Sequence, residues 1–392
     1  MARVLQIVTK LVVGGASLTM LDFAEDLASE HELHIAHGRL EDPANAAVAR
    51  ARERFPTYEV SRLARPLAAR DDAAAIRDLH ALCRLIGPDV IHTHSSKAGF
   101  LGRIGAPLET PVLLHTIHGW GHTPLDGRLR RAALVNAERL AARRTTKLIA
   151  VSREVRAEGL ALHIGRSDQY TVIGEPVDMD PSDVDFTAAR AAARAMLRIA
   201  PDAEVVGWVG RFSPQKDPRA LVDVATRLLA VRGSTQIVLV GDGPDRALVQ
   251  LQLASEIAEG RVRLTGARDD VRTLYPAFDV LLHTSLWEGH PRVVREALAE
   301  RVPVASARVS GTAELAADTR RGTLVPVGDA HAFVAALGAI LDSPTLRAPI
   351  DEVAVAPLRA AAREPYRLMR ELYRATLANA GGERPERDAR VP

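Results

Sequence analysis

The sequence predicts an α/β protein made of two doubly wound parallel-sheet domains in tandem. Three observations predict it. The chain has 392 residues, two to three domains' worth at roughly 150 residues each. Short apolar runs without polar alternation recur at strand length, as strands covered on both faces require. Helix-length amphipathic segments separate them, the spacing of βαβ units.

Taken in order, the strand candidates of the first half are VLQIV (4–8), ELHIAH (32–37), DVIHTH (89–94), VLLHTI (112–117), KLIAV (147–151) and YTVI (170–173), with helices expected over 16–29, 71–86, 126–145 and 153–162. The proline- and aspartate-rich segment EPVDMDPSDVDF (175–186) breaks this rhythm and an Ala/Arg helical stretch follows it to about 198, so a first domain over 1–178 is followed by a linker over 179–203. The alternation resumes with VVGWVG (205–210), QIVLVG (236–241), VRLTG (262–266), DVLLHTS (279–285) and VPVASA (302–307). This is a second α/β domain over 204–376. From about 329 the pattern is helical, and 377–392 read as a disordered polar tail. Two such sheets place a cleft between their carboxyl ends, where ligands of these folds bind.

Composition narrows the function classes. Hydrophobic residues make up 47% and charged residues 26%, ordinary globular usage. A net charge of +2 supplies no global field for nucleic acid, so any anion site is local. The single cysteine, Cys83, forms no internal disulfide and fits a reducing compartment. The N-terminal run is interrupted by Gln6, Thr9 and Lys10 and reads as strand and loop, not as a signal peptide, and no stretch reaches membrane-span length. The expected location is the cytoplasm, with peripheral contact at the inner face of the membrane. Only four lysines occur, at 10, 97, 147 and 216, so each is a candidate for a specific role.

The second half carries the chemistry. Arg211 and Lys216 share the loop after VVGWVG and can hold a diphosphate as it becomes a leaving group. Gly241 opens a Gly-Asp-Gly-Pro turn that lacks the third glycine of the dinucleotide fingerprint. In Ser285-Leu-Trp-Glu288-Gly289-His290-Pro291, Gly289 allows close backbone approach and Pro291 suits the first helical turn. Glu288 then precedes the helix and Glu296 falls on its second turn. Amides at this helix start face an anion, and the two carboxylates meet neutral hydroxyls. That combination describes a nucleotide sugar.

GRFSPQK (210–216), GDGP (241–244) and S-x-x-EGHP-x-x-x-x-EALA, with glutamates eight positions apart, resemble the family-4 retaining glycosyltransferases. So do the Gly-Gly pair at 14 and 15, HTIHG (115–119), KLIAVS (147–152) and VIGEPVD (172–178). The resemblance implies a GT-B fold, two Rossmann-like domains facing across a cleft with the C-terminal helix returning to the first. It implies retention, Glu288 stabilising the cationic sugar, Glu296 holding the ribose, Gly14 and Gly15 near donor phosphates and acceptor, and His118 touching the sugar. Two positions depart from the family's pattern: Glu175-Pro176 stands where Asn-Gly is common, and His290 replaces an apolar residue.

Five histidines, 92, 94, 115, 118 and 122, cluster near two strand ends. No carboxylate or cysteine joins them at ligand spacing, so no metal is expected; His92 and His115 read as satisfied strand histidines. Lys97 and Arg103 open a helix after DVIHTH and are candidate acceptor contacts. HTHSSKAGFLGR with HTIHG resembles the branch of the family that builds capsular or exopolysaccharide units on polyprenyl diphosphate. Residues 126–156 hold nine basic residues against three acids, a surface suited to an anionic membrane or a solvated helix face. The expected substrates are a nucleotide-sugar donor, a UDP-sugar favoured, and a glycan, lipid-linked or small-molecule acceptor. A secondary-metabolite acceptor and a sugar-nucleotide epimerase remain as alternatives.

Overall fold

The computed structural model describes residues 1–12, 14–40, 42–64, 68–176, 185–319 and 321–381. It divides into two compact units, Met1–Pro176 together with the described residues from Arg363 on, and a second ending at Ala362.

In the first unit β1 (Ala2–Val8), α1 (Gly15–Leu27), β2 (His31–His37), α2 (Ala46–Arg54), β3 (Thr57–Glu59), α3 (Ala69–Ile86), β4 (Val90–His94), α4 (Ser96–Gly105), β5 (Val112–Ile117), α5 (Arg128–Ala142), β6 (Lys147–Ala150), α6 (Arg153–Ala161) and β7 (Tyr170–Val172) alternate as the periodicity requires. The seven strands are parallel, in the order β3-β2-β1-β4-β5-β6-β7. Because successive side chains point to opposite faces, Val4 and Val8 pack on one side with Val90, Val112 and Leu114. Leu5, Ile7, Ile91 and Leu113 pack on the other, under α3 and α4. Full burial of both faces explains why these strands lack polar alternation.

The second unit contains α7 (Phe186–Met196), β8 (Glu204–Val209), α8 (Pro218–Val231), β9 (Thr235–Val240), α9 (Arg246–Gln252), α10 (Ala254–Ala258), β10 (Val262–Gly266), α11 (Val271–Leu274), β11 (Val280–His283), α12 (Arg292–Ala299), β12 (Val304–Ala307), α13 (Thr312–Thr319), β13 (Gly322–Val325), α14 (Ala330–Asp342), α15 (Pro344–Arg347) and α16 (Glu352–Ala360). Its six parallel strands run β10-β9-β8-β11-β12-β13. The last helix, α17 (Glu364–Gly381), belongs to the first unit, where Met369, Leu372 and Tyr373 join the core beside α1.

Two expectations about boundaries change. The helical stretch expected inside the linker is α7, but it is part of the second unit: its Ala193 is buried in that core while Arg190 and Arg194 bind the buried Asp279. Residues 377–381, read as tail, continue α17, and α17 is grouped with the first unit, the return that the resemblance implied. The remainder of the tail, 382–392, residues 179–184 of the linker and residues 177–178 before it lie outside the described residues.

Candidate active site

Strand order places the functional loops. In each sheet the chain moves outward in one direction and then reverses, between β1 and β4 in the first unit and between β8 and β11 in the second. In open α/β sheets ligands bind at the carboxyl ends of the strands at that reversal. Gly14 and Gly15 follow β1, Lys97 follows β4 and His118 follows β5. Arg211 and Lys216 follow β8, Gly241 follows β9, and Glu288 to Pro291 follow β11.

In the second unit the loops after β8 and β9 are stitched together: Phe212 N donates to Asp242 O at 3.0 Å and Asp245 N to Phe212 O at 3.1 Å. Gly241, at φ +139°, lies so close that a Cβ would stand 1.8 Å from Gly210 O, so this turn requires glycine. Lys216 Nζ reaches Glu288 Oε1 at 2.5 Å. The same oxygen accepts from Ser285 Oγ at 2.8 Å, and Oε2 accepts from Gln215 Nε2 at 3.2 Å. Behind Ser285, His283 bridges it (2.9 Å) to Ser306 on β12 (2.8 Å). Burial pushes the Glu288 carboxyl up, but the Lys216 charge and the contact with His283 outweigh it and hold the group at about 2. Glu288 is therefore ionised, and Lys216 is its counter-ion. Arg211 is exposed and forms no ion pair among the described residues.

Pro291 is the cap of α12 and not part of its first turn: its carbonyl accepts from Val294 N and Arg295 N at 3.2 and 3.3 Å. The amides of the first turn before them have no intrahelical acceptor by position. Gly289 and His290 are held against the loop after β12, where Gly311 has φ +80° and a Cβ would stand 2.8 Å from His290 Cα. Glu296 accepts from Tyr275 Oη at 2.8 Å and Arg292 Nε at 2.9 Å. A carboxylate offers about four acceptor positions, so these two bonds leave room for ligand hydroxyls.

In the first unit His118 lies between Glu175, whose Oε1 is 2.9 Å from Nδ1, and His94, whose Nδ1 is 3.1 Å from Nε2. Gly14 caps α1, and a Cβ on Gly15 would meet nothing nearer than Glu175 Oε2 at 3.9 Å. Packing therefore does not demand glycine at either position. His92 and His115 are buried strand histidines with hydrogen-bond partners in Tyr373, Thr116 and Thr93. His122 stands apart, stacked on Trp120 and 3.8 Å from Glu158. Among the described residues no group of three or more His, Cys, Asp or Glu side chains is arranged to hold a metal ion.

The two expected acceptor contacts are both engaged within the first unit. Arg103 is fully buried, bonded to Gly99 O at 2.7 Å and paired with Glu138 at 2.5 Å, so it ties α4 to α5. Lys97 is turned to Asp72 of α3 at 2.5 Å and is largely buried there. Sequence reasoning missed Gln215, His283, Tyr275 and Glu175 as partners of the site. Ser285 and Gln215 stood inside the quoted motifs, whereas Tyr275 carries no local signal. On α5 the polar face is solvated, with Arg128, Arg130 and Arg131 exposed beside Leu125 and Leu129, the latter 89% exposed. No helix among the described residues is long and apolar enough to cross a membrane.

Both units are parallel α/β sheets of the Rossmann type; a carboxylate–lysine pair stands at the reversal point of the second, and a buried carboxylate–histidine pair joins the ends of β5 and β7 in the first. The chain belongs to the family-4 glycosyltransferases. Residues 13–181 match the family model described as Glycosyltransferase Family 4, and residues 203–343 match the model described as Glycosyl transferases group 1. An Escherichia coli UDP-Gal:alpha-D-GlcNAc-diphosphoundecaprenol alpha-1,3-galactosyltransferase is 27% identical, the match covering 74% of this chain and 76% of that one. A D-inositol 3-phosphate glycosyltransferase of Catenulispora acidiphila is 30% identical over 68% of this chain and 66% of its own length. The GT-B fold is shared with Anabaena Alr3699/HepE, crystallised in complex with UDP and glucose, at a TM-score of 0.74 and 21% identity, covering 96% of this chain and 100% of that chain.

Proposed function

We propose that the chain transfers a sugar, with retention, from a nucleotide-diphosphate donor to an acceptor hydroxyl in polysaccharide or glycoconjugate assembly. The observation that carries this reading is the Lys216–Glu288 pair at the start of α12, with Glu296 one turn into the helix. The leaving diphosphate gathers negative charge, which Lys216, Arg211 and the amides from Gly289 onward stabilise. The pair is neutral at rest. As the diphosphate draws on Lys216, the charge of Glu288 is uncovered and stabilises the cationic sugar. Glu296, beyond its bonds to Tyr275 and Arg292, holds the ribose. A UDP-sugar is favoured as donor and a lipid-linked diphosphate as acceptor, because the Escherichia coli relative is named for both. The exposed basic and leucine-bearing face of α5 supplies peripheral contact with the membrane that would carry such an acceptor. Recognition of the acceptor falls to the loops of the first unit around Gly14, Gly15 and His118.

The test is nucleotide release from a panel of nucleotide sugars, with and without a polyprenyl-diphosphate-linked acceptor, and NMR assignment of the product anomer. Acceptor-dependent release with a retained anomer is expected. Turnover of donor alone would favour an epimerase, and an inverted anomer would overturn retention.

A further inference from the structure

On the face of the first sheet that α1 and α17 cover, Gln6, His92, His94 and Thr116 interrupt an apolar surface of Val4, Val90, Val112 and Leu114. Their donors and acceptors can be followed atom by atom. Gln6 Nε2 donates to Tyr373 Oη at 3.2 Å, so the Tyr373 proton goes to His92 Nδ1 at 2.7 Å, and His92 Nε2–H donates to Thr116 Oγ1 at 2.7 Å. Gln6 Oε1 is then an acceptor, and His94 Nε2, facing it at 2.7 Å, carries the proton. Burial, together with neighbouring imidazoles, holds His94 well below the usual imidazole range. Its Nδ1 is therefore a bare acceptor. The proton between His94 Nδ1 and His118 Nε2 belongs to His118. On the other side of that ring Nδ1 faces the carboxylate of Glu175, whose side chain is 5% exposed.

We propose that Glu175 is a positioning residue that holds His118 as a doubly protonated imidazolium, locked between Glu175 Oε1 and His94 Nδ1. The Glu175–His118 pair is neutral as a whole, so the extra proton adds no net charge to the interior, and each ring nitrogen has one directed bond. Three imidazoles, those of His92, His94 and His115, feel the charge of His118. Burial pushes His92 down to about 3 and His115 well below its usual range, so none of them competes for the proton. A ring protonated at both nitrogens takes up no further proton. His118 therefore acts on a bound ligand by charge and shape, and not as a general base toward the acceptor hydroxyl. This last step rests on the glycosyl-transfer reading; the protonation itself does not.

The experiment is long-range proton–nitrogen NMR on the full chain labelled with ¹⁵N-histidine, without ligand, at neutral pH, with His118 assigned from the spectrum of His118→Gln. Both His118 ring nitrogens are expected at the protonated position. In Glu175→Gln one should move to the unprotonated position while the His92 and His94 signals stay in place, which also reports that the fold is kept; Glu175→Asp should restore the double protonation. A bare nitrogen on His118 in the unmodified protein overturns the proposal even if the glutamine variant fails to fold, and so does a spectrum indifferent to Glu175→Gln. These spectra need neither donor nor acceptor, so their failure is distinct from failure of the transferase reading. Where transfer is measurable, Glu175→Gln should lower kcat about tenfold or more, the usual scale for losing a partner that orients a histidine, with the donor KM within about twofold. An unchanged kcat would likewise count against it.

Discussion

At Lys216 the ammonium is committed to a buried carboxylate, whereas Arg211 is exposed, so the two cations should fail differently. Lys216→Ala should lower kcat more than it raises the donor KM, and should also destabilise the fold by about 1–3 kcal/mol, because Glu288 is left without its counter-ion. Arg211→Ala should lower kcat with stability within about 0.5 kcal/mol of the parent. Kinetics run beside chemical denaturation check both; a Lys216 variant with unaltered stability would remove the ion pair from the account. Glu288 supplies a pH test. Its carboxyl is held at about 2, below an ordinary glutamate near about 4.3. A lowered folded-state value adds stability that is complete above about pH 4.3 and lost as pH falls toward 2. The stability gap between the parent and Glu288→Gln should therefore narrow from pH 6 to pH 3, and a constant gap would mean that the charge contributes nothing. At this scale the residues legible in the sequence were those on loops at strand ends, such as Lys216, Glu288 and His118. Their supports were not, because a partner such as Tyr373 lies 281 residues from the His92 it serves.

Among the elements, α17 does two jobs, adding apolar cover and ending the polar line on the sheet. Tyr373→Phe keeps the ring and removes the hydroxyl that pairs with Gln6 and His92. A loss of about 1–3 kcal/mol is expected, since two buried polar groups lose a partner; urea unfolding measures it, and no loss would show that the chain of bonds does not depend on α17. The face of α5 makes a second prediction. Each basic residue near an anionic surface contributes about 1 kcal/mol, so replacing Arg128, Arg130 and Arg131 by serine should weaken binding to anionic vesicles about 100-fold at low salt. Equal binding of parent and variant in sedimentation would leave that face merely solvated. Long elements were read from periodicity to within a few residues. The three-residue β3, the four-residue β13 and the arginine-rich α2 were not, because runs so short or so polar carry no period of their own.

For the molecule as a whole, the mechanism proposed here neutralises the donor diphosphate with side chains and amides. Nucleotide release measured with metal-free donor should consequently persist in excess EDTA; loss of activity restored by one specific divalent ion would replace that mechanism. The two α/β halves were readable because the central strands of each sheet are buried on both faces, which suppresses polar alternation there. The destination of the C-terminal helix rested on resemblance alone, since its amphipathic stripe would suit either unit.

That helix also sets a timetable. The first unit is split in sequence, with Met369, Leu372 and Tyr373 arriving after the whole second unit has been translated. At roughly 5–20 residues per second the nascent first sheet waits about 10 to 40 s with one apolar face covered only by α1 and α2 and with His92 lacking its Tyr373 partner. The second unit, continuous in sequence, is free to fold in that interval. The earlier half of the chain is thus the later to mature, and a chain cut before α17 would carry a first unit in need of a chaperone beside a second unit complete in sequence.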